Sequence, residues 1–450
     1  MEKKLSKNKL NKSLQEEYEI TPIERPKRIF KFTDLFSIWF GAGISIAEFW
    51  AGALLTPALA LYKVILLIIL GHIIGNFIMG LISIEGEKVG VPTMVLTRVS
   101  LGIKGSILPS ILNYLQLIGW TAIMLIIGAS AVKIIFPHSF LGNYYLWIVI
   151  LGVLVTLWTY IGPKNWGGIE KISAVLLLLL SIWLTYITLN KFPLKALMSK
   201  SGTGAMGAML GLDLVIAMPI SWAPVIADYS RFSKGRGGAF WGTFIGYFFS
   251  SSLFYFVGAL TNMAAGKADP IAIIAFYAIG IPAMLVIVFS TATTTFLDVY
   301  SAAVSFQNIL PKASAKKQIL LVGMLGTLIA LVFPIAKYES FLLLLGGAFV
   351  SLTGIMITDY FLVKKRLDEK EIFNERGAYW YKNGYNIRAI FVWAMGFLFY
   401  IALAVEGLFG VHIPVLSEFG TRFGSSIPTL ILVGLLYYVM EAKSSKGGKK

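Results

Sequence analysis

Apolar segments long enough to cross a lipid bilayer recur along the whole chain, separated by polar connections. A membrane-spanning helix needs about 20 predominantly apolar residues. Roughly twelve segments reach a spanning length, at approximately residues 34–61, 64–84, 106–134, 144–162, 171–191, 207–229, 239–265, 270–305, 318–336, 340–363, 388–408 and 424–440. With 57% hydrophobic and 14% charged residues, the sequence predicts an all-α polytopic membrane protein with about twelve transmembrane helices.

Basic residues are concentrated in the two tails and in the even-numbered connections, for example Arg231, Lys234 and Arg236 after the sixth segment. Lysine and arginine are enriched on the cytoplasmic side of membrane proteins. We therefore expect a cell-membrane protein with both termini cytoplasmic, and we interpret the net charge of +16 as a topology signal rather than as a sign of a nucleic-acid partner. The fifth connection, with Lys191 and Lys195, is the main exception.

The chain contains no cysteine, which excludes disulfides, thiolate metal sites and thiol catalysis. Its first residues are polar and rich in lysine, and no apolar segment begins before Phe36. We therefore expect no cleavable signal peptide.

The tenth connection, RLDEKEIFNERGAYWYKNGYNIRA, is the longest polar break after the N-terminal tail. It divides the chain into ten segments and a final pair. The predicted organisation is a basic cytoplasmic tail (1–33), a ten-helix transport core (34–363), a cytoplasmic loop (364–387), two accessory transmembrane helices (388–441) and a basic cytoplasmic tail (442–450).

The first segment, TDLFSIWFGAGISIAEFWAGALLTP, carries a carboxylate in its apolar middle. A charged side chain at the bilayer centre costs ~2.5–3.5 kcal/mol, so Glu48 is expected to face a protein interior or a water-filled cavity. Gly41, Ser45, Glu48 and Gly52 form one stripe, and the helix can unwind at residues 41–43 to offer carbonyls to a cation. The alternative is that Glu48 is a structural hydrogen-bonding residue of the helix bundle.

The sixth segment resembles the first in being interrupted, because Pro219 and Pro224 lie within its apolar run on either side of Ser221 and Trp222. Proline removes a backbone donor, so a second discontinuous helix is expected here. One interruption alone is equally typical of a kinked structural helix. Two interrupted spans, each opening one half of a five-plus-five arrangement, indicate an inverted-repeat transporter with its site near the membrane midplane.

Polar residues also follow one face of the third and eighth segments. The third contributes Asn113, Gln116 and Trp120. The eighth contributes Thr291, Thr294, Asp298, Ser301 and Ser305. Hydroxyls in such stripes often only join helices to each other, whereas Asp298 needs a cation, a proton or a donor-rich ligand opposite it.

The two tryptophans Trp120 and Trp222 could bracket a planar heteroaromatic ring. The alternative is that they face lipid or belong to the apolar core. The connection after the second segment, IEGEKVGVPTMVLTRVSLGIKGS, is expected to fold back along the membrane face, or else to be a kinked entrance to the next helix.

Four stretches carry a family resemblance: GVPTMVLTRVSLGIKGS, SWAPVIADYSRF, ITDYFLVKKR and GAYWYKNGYNIRA. With these motifs the chain resembles, over essentially its whole length, the nucleobase:cation symporter-1 family of permeases for cytosine, purines, allantoin and hydantoins. The resemblance implies a LeuT-like five-plus-five inverted repeat with two additional C-terminal helices. The runs TTTFLDVYSA and FGAGISIAEF further resemble the hydroxymethylpyrimidine transporter subgroup.

The same resemblance implies a substrate site in which the ring stacks between Trp120 and Trp222 and Gln116 binds its polar edge. Asp298 stands where the family has an asparagine. A carboxylate only accepts hydrogen bonds, so this change favours a substrate with an amino group or a protonated ring nitrogen. We assign Glu48 and Ser221 to the same site.

For the coupling ion, the resemblance implies a sodium site formed by the backbone carbonyls of Gly41 and Ile44 and the hydroxyls of Thr293 and Thr294. Proton-coupled members tend to lack these hydroxyls, which favours sodium. Glu48 and the aspartate of the eighth segment leave proton coupling open, and no cofactor is expected.

The predicted function is cation-coupled import, by alternating access, of a nucleobase-like heterocycle, with hydroxymethylpyrimidine or cytosine preferred. The alternatives are a purine, allantoin or hydantoin permease of the same family and a proton-coupled carrier. A membrane-embedded enzyme is a distant alternative, because His72, His138 and His412 are scattered without metal-ligand spacing, and no pore-lining repeat indicates a channel. The expected partners are the small heteroaromatic substrate and membrane lipid, and the oligomeric state is left open.

Overall fold

The fold is that of a computed structural model, which describes residues 20–137, 139–161, 167–267, 269–277, 281–365 and 367–447. These ranges form helices joined by turns, with no extended sheet among them. In chain order the helices are α1 (Phe32–Ala42), α2 (Ile46–Leu54), α3 (Leu61–Val89), α4 (Thr93–Leu101), α5 (Ile107–Ile135), α6 (Tyr144–Ile161), α7 (Gly167–Lys191), α8 (Leu194–Ser199), α9 (Ala208–Trp222), α10 (Ile226–Ser230), α11 (Arg236–Ala265), α12 (Pro270–Phe276), α13 (Ile281–Ile309), α14 (Ala315–Ala330), α15 (Tyr338–Thr358), α16 (Ile387–Leu403), α17 (Val405–Phe409), α18 (Pro414–Phe423) and α19 (Ser426–Gly447).

Within the described ranges, eight helices or continuous helical runs are long and apolar enough to cross a membrane. They comprise α3, α5, α6, α7, α9 with α10, α11, α13, and the run that contains α15. Two bent pairs, α1 with α2 (58°) and α18 with α19 (97°), bring the number to ten if each is one span. The two remaining predicted segments form α14, of 16 residues, and α16, of 17 residues. The predicted all-α polytopic fold is confirmed, with two of the segments shorter than a full span.

The predicted eighth segment, 270–305, corresponds to two helices in the structure. A short helix, α12, begins at Pro270, where the Asp269 side chain accepts the N–H of Ala272 at 2.7 Å. The long helix α13 begins only at Ile281. Apolar character continues through both helices, so hydropathy alone does not separate them.

The connection after the second span forms the buried helix α4, all nine residues of which are shielded from solvent. It is bounded by glycines with positive φ, Gly90 (79°) and Gly102 (91°), a conformation that only glycine adopts readily. Arg98 of this helix donates from Nε to Asn308 Oδ1 of α13 at 2.8 Å, and burial lowers the pKa of its guanidinium to about 10. This connection is therefore a buried helix anchored to α13, and its course along the membrane face stays a prediction.

The ITDYFLVKKR stretch supplies a second anchor at the same end of the molecule. Asp359 is 1% exposed and accepts hydrogen bonds from Ser100 (2.9 Å), Lys364 (2.6 Å) and Tyr437 (2.8 Å). A buried carboxylate is stable only when its oxygens are paired. This group therefore joins α4, the end of the α15 span and α19.

Close packing fixes the first span against the seventh. A side chain on Gly52 of α2 would place its Cβ 2.0 Å from the backbone oxygen of Tyr255, and one on Gly258 of α11 would lie 1.8 Å from that of Phe49. Both positions therefore require glycine, as in other close contacts between membrane helices.

The helices form two packed groups around the centre of the molecule. One contains α1, α2, α3, α9 and α11, and the other contains α5, α6, α13 and α14, which share a second apolar core. The final helices α16 and α19 pack against each other and against α15. The predicted site residues of α2, α5, α9 and α13 lie where the two groups meet.

Candidate functional site

The first span is interrupted between α1 and α2, directly after the predicted weak point. The N–H of Ile44 turns back to the oxygen of Gly41 at 3.1 Å, and Ser45 Oγ caps the new helix by accepting the N–H of Glu48 at 3.3 Å. A serine cap satisfies one of the donors that a helix start leaves free. The break therefore aims the N-terminal end of α2 toward the centre of the protein.

The sixth span is less interrupted than predicted. The expected discontinuity is a single 3-10 turn at Ala223–Val225 between α9 and α10, and the three elements together still form one span. Pro224 lies in the first positions of this turn, where a missing N–H removes no internal bond. Pro219 is accommodated inside α9. The interruption of this span is therefore a short turn between two α-helical segments.

Gln116 joins the third span to the last turn of α9, just before the 3-10 turn. Its Nε2 donates to the backbone oxygen of Ser221 at 2.9 Å and to Asn113 Oδ1 at 2.7 Å. In a continuous α-helix, the Ser221 oxygen would accept the N–H four residues later. Both amide hydrogens of Gln116 are thus used, while its buried Oε1 has no hydrogen-bond partner among the described residues. The Ser221 hydroxyl donates to the oxygen of Met218 within its own helix at 2.6 Å.

A central cavity brings most of the predicted substrate residues together. It is lined by Glu48 of α2, Trp120 of α5, Trp222 of α9, and Thr294 and Asp298 of α13. The remaining lining residues are Ala42, Ser45, Ala47, Met124 and Met218. Its volume is about 20 Å³, which is enough for one water molecule and too small for a heteroaromatic ring. Gln116 and Ser221 lie beside the cavity without lining it.

The two carboxylates at the cavity have different surroundings. Both oxygens of Glu48 are hydrogen-bonded, one to the Tyr247 hydroxyl and one to Ser251 Oγ at 2.8 Å, both on α11. Asp298 is 4% exposed, and within the described part of the chain no hydrogen bond or ion pair reaches its carboxylate. Asp298 is thus the carboxylate whose accepting capacity is still available.

Aromatic rings surround the two tryptophans without stacking on them. Trp222 meets Trp39 at a centroid distance of 6.0 Å and an angle of 78°, and Trp120 meets Tyr338 at 6.1 Å and 76°. Tyr338 itself stacks on Trp50 at 4.5 Å. The two tryptophans are therefore held by edge contacts.

Sequence reasoning missed three residues that shape the site: Tyr247, Ser251 and Tyr338. The first two are the hydrogen-bond partners of Glu48, and the Tyr338 hydroxyl donates to the oxygen of Ala47 at 3.0 Å. The available signal was the spacing of Tyr247, Ser251 and Tyr255, which lie four residues apart on one face of the seventh span.

The predicted sodium ligands are only partly described. The Gly41 oxygen already accepts the N–H of Ile44, and the Thr294 hydroxyl donates to the oxygen of Ser290 at 2.8 Å. The side chain of Thr293 lies outside the described residues. The assignment of these four residues to a cation stays a prediction.

The two described histidines lie in different surroundings. His72 is buried in α3, His412 is exposed beside Glu406 at 3.3 Å, and His138 lies outside the described residues. In the described ranges, no group of three or more histidine, aspartate or glutamate side chains is arranged to hold a metal ion.

Comparison with known proteins decides the family. A family described as "Permease for cytosine/purines, uracil, thiamine, allantoin" matches residues 22–420. The chain belongs to this family, the nucleobase:cation symporter-1 family. It is 26% identical over 421 residues to a hydantoin permease of Microbacterium maritypicum, covering 86% of each chain, and 25% identical over 332 residues to a cytosine permease of Escherichia coli (strain K12), covering 74% of this chain and 78% of the relative.

The fold is similar to a solved structure of the same family. Mhp1, a nucleobase-cation-symport-1 transporter in a closed conformation with bromovinylhydantoin bound, aligns with a TM-score of 0.79 at 23% identity, covering 95% of this chain and 96% of Mhp1. The chain is therefore a multi-pass membrane permease with a LeuT-like fold, and it is not an enzyme.

Proposed function

We propose that this symporter-family member imports a pyrimidine that carries an exocyclic amino group, with hydroxymethylpyrimidine or cytosine as the preferred class. The observation that carries the proposal is the free carboxylate of Asp298, buried at the wall of a cavity that it shares with Trp120 and Trp222. Burying a carboxylate without a partner is costly, so such a group is retained where a ligand supplies the donors.

A second acceptor supports the same substrate class. Gln116, which lies beside the cavity, donates both amide hydrogens to protein oxygens. Its Oε1 is therefore the atom left to accept a hydrogen bond from a ligand. Two acceptors, the carboxylate of Asp298 and the oxygen of Gln116, complement an edge with N–H donors. An amino-pyrimidine offers such an edge. An oxo group at the same position only accepts hydrogen bonds, so it would lie opposite a protein acceptor without a hydrogen between them.

Aromatic stacking supplies the affinity for the flat ring in this proposal. Trp120 and Trp222 come from the two different helix groups, so a ring between them joins both groups. Stacked aromatic pairs contribute about 0.5–1.5 kcal/mol beyond their buried area. A ring cannot enter a cavity of about 20 Å³, so the helix groups must separate on one side to admit it, as alternating access requires.

Sodium is the proposed coupling ion, bound by the carbonyls of Gly41 and Ile44 with the hydroxyls of Thr293 and Thr294. The break between α1 and α2 and the position of Thr294 on the cavity wall support this site. Proton coupling is the alternative. We further propose that both termini are cytoplasmic, that 34–363 is the transport core and that 388–441 forms two accessory helices.

The decisive experiment is a binding screen of the purified protein against cytosine, uracil, adenine, hypoxanthine, hydantoin and 4-amino-5-hydroxymethyl-2-methylpyrimidine. Tightest binding of the two amino-pyrimidines supports the proposal. Preference for hydantoin, or for the oxo member of each amino and oxo pair, would instead assign the protein to the hydantoin or purine branch of its family.

A further inference from the structure

Three buried side chains from three helices form a continuous hydrogen-bonded chain beside the central cavity. His72 Nδ1 of α3 lies 2.8 Å from the backbone oxygen of Ile68, and His72 Nε2 lies 2.6 Å from Ser251 Oγ of α11. Ser251 Oγ lies 2.8 Å from Glu48 Oε2 of α2. All three side chains are almost completely shielded from solvent.

The hydrogens of this chain can be counted. A backbone oxygen only accepts, so the Nδ1 of His72 must carry a hydrogen to bond Ile68. In a neutral imidazole the other nitrogen, Nε2, is then an acceptor, and an ionised Glu48 also only accepts. Ser251 has one hydroxyl hydrogen and lies within hydrogen-bond distance of both acceptors. One of the two contacts therefore lacks a hydrogen unless the chain holds one more proton.

We propose that the Glu48–Ser251–His72 chain is a proton-binding site that holds one proton when Glu48 is buried as it is in this structure. With the proton on Glu48, its Oε2 donates to Ser251, and Ser251 donates to His72 Nε2. With the proton on the histidine, the direction of both bonds reverses and a buried ion pair results. Separated charges in a dry interior are expensive, which favours the uncharged arrangement with the proton on Glu48.

The neighbours of the site supply no compensating positive charge. From α11, Tyr247 donates to the other oxygen of Glu48, and the ring of Tyr255 meets that of His72 edge-on at 5.0 Å. From α15, the hydroxyl of Tyr338 is directed to the oxygen of Ala47. On α13, Asp298 lines the same cavity as Glu48. None of the ion pairs in the described ranges includes Glu48 or His72.

The position of the site links the proton to the conformation. Glu48 lies in the first turn of α2, directly after the break in the first span, and the other two groups belong to the helices that pack against it. Loss of the proton would leave a buried charge and an unmade hydrogen bond. The proton therefore favours the arrangement in which Glu48 is buried over any arrangement in which water reaches Glu48.

Infrared spectroscopy of the purified full-length protein tests the site, because a protonated carboxyl group has its own C=O absorption. At neutral pH the wild type should show a protonated carboxyl band that is absent in Glu48→Gln. The glutamine amide can still donate to Ser251 and accept from Tyr247, so this variant is expected to keep its fold. Glu406→Gln changes an exposed glutamate that also lies beside a histidine, and should leave the band unchanged.

Nitrogen-15 NMR of labelled histidine shows whether the proton is on His72 instead, and His72→Gln assigns the signal. An imidazolium signal from His72 would show that the site holds one proton and that this proton is on the histidine rather than on Glu48. A spectrum with no carboxyl band from Glu48 and a neutral imidazole at His72 would overturn the proposal. This test involves no substrate, so its result is separate from that of the ligand screen.

Discussion

Gln116 Nε2 donates to the backbone oxygen of Ser221 at 2.9 Å, and this bond joins α5 to the last turn of α9. Trp120 lies one helical turn after Gln116, and Trp222 follows Ser221 directly. The bond therefore joins the two helices that carry the tryptophans lining the central cavity.

Gln116→Leu is expected to lower both stability and ligand affinity. The substitution leaves the oxygens of Ser221 and Asn113 buried without their donor, which costs about 1–3 kcal/mol. Thermal unfolding and cytosine binding of the purified variant measure the two effects. Ser130→Ala is the control, because that hydroxyl bonds only within α5. An unchanged affinity in Gln116→Leu would show that this bond does not position the aromatic rings.

Asp298→Asn is expected to change the ranking of ligands rather than only the affinity. The new amide presents its own hydrogens to the substrate, so amino-pyrimidines should lose more affinity than the matching oxo compounds. Competition of cytosine against uracil on the wild type and the variant measures this. Asp368→Asn makes the same change at an exposed loop residue and should leave the ranking unaltered. An equal loss of affinity for both ligands would mean that Asp298 does not recognise the amino group.

Trp120→Ala and Trp222→Ala should each weaken binding by ~1 kcal/mol or more, because each removes one stacking face from the ring. Cytosine affinity by isothermal titration is the measurement. Trp183→Ala, on the exposed surface of α7, controls for the general effect of removing an indole. Wild-type affinity in both cavity variants, at normal expression, would show that the ring binds elsewhere.

The Arg98–Asn308 contact predicts a stability effect far from the substrate residues. Asn308→Leu would leave the buried guanidinium of Arg98 without the Oδ1 acceptor at 2.8 Å. A charged group that loses its hydrogen-bond partner in a buried position costs about 1–3 kcal/mol or more. The melting temperature of the variant should fall, and Arg98→Met in the same background should recover part of the loss. Without that recovery, the contact would not be the source of the instability.

The sequence predicted the features that depend on local composition. Long apolar runs produce the spanning helices, and the glycines at 41 and 43 precede the break at which Ser45 caps α2. It could not predict the partners of Glu48, because Tyr247 and Ser251 lie 199 and 203 residues away and are brought near only by helix packing. The same limit applies to the sixth span, where Pro224 fits a 3-10 turn and Gln116, from another helix, bonds the Ser221 oxygen just before it.

The hydroxyl of Thr294 provides the test of the coupling ion. Under the proposed sodium site, Thr294→Val removes one ligand while keeping the size of the side chain, so sodium should no longer raise the affinity for cytosine. Linkage requires the converse as well: in the wild type, cytosine should raise the affinity for sodium by the same factor. Thr291→Val is the matched control, since this threonine lies one turn earlier on α13 and its hydroxyl donates to the oxygen of Ile287 within the helix.

Binding in sodium and choline buffers, with uptake into proteoliposomes under a sodium or a pH gradient, measures both effects. Equal uptake in sodium and choline, together with dependence on the pH gradient, would show that the coupling ion is a proton. The carboxylates of Glu48 and Asp298 would then be the candidate proton carriers.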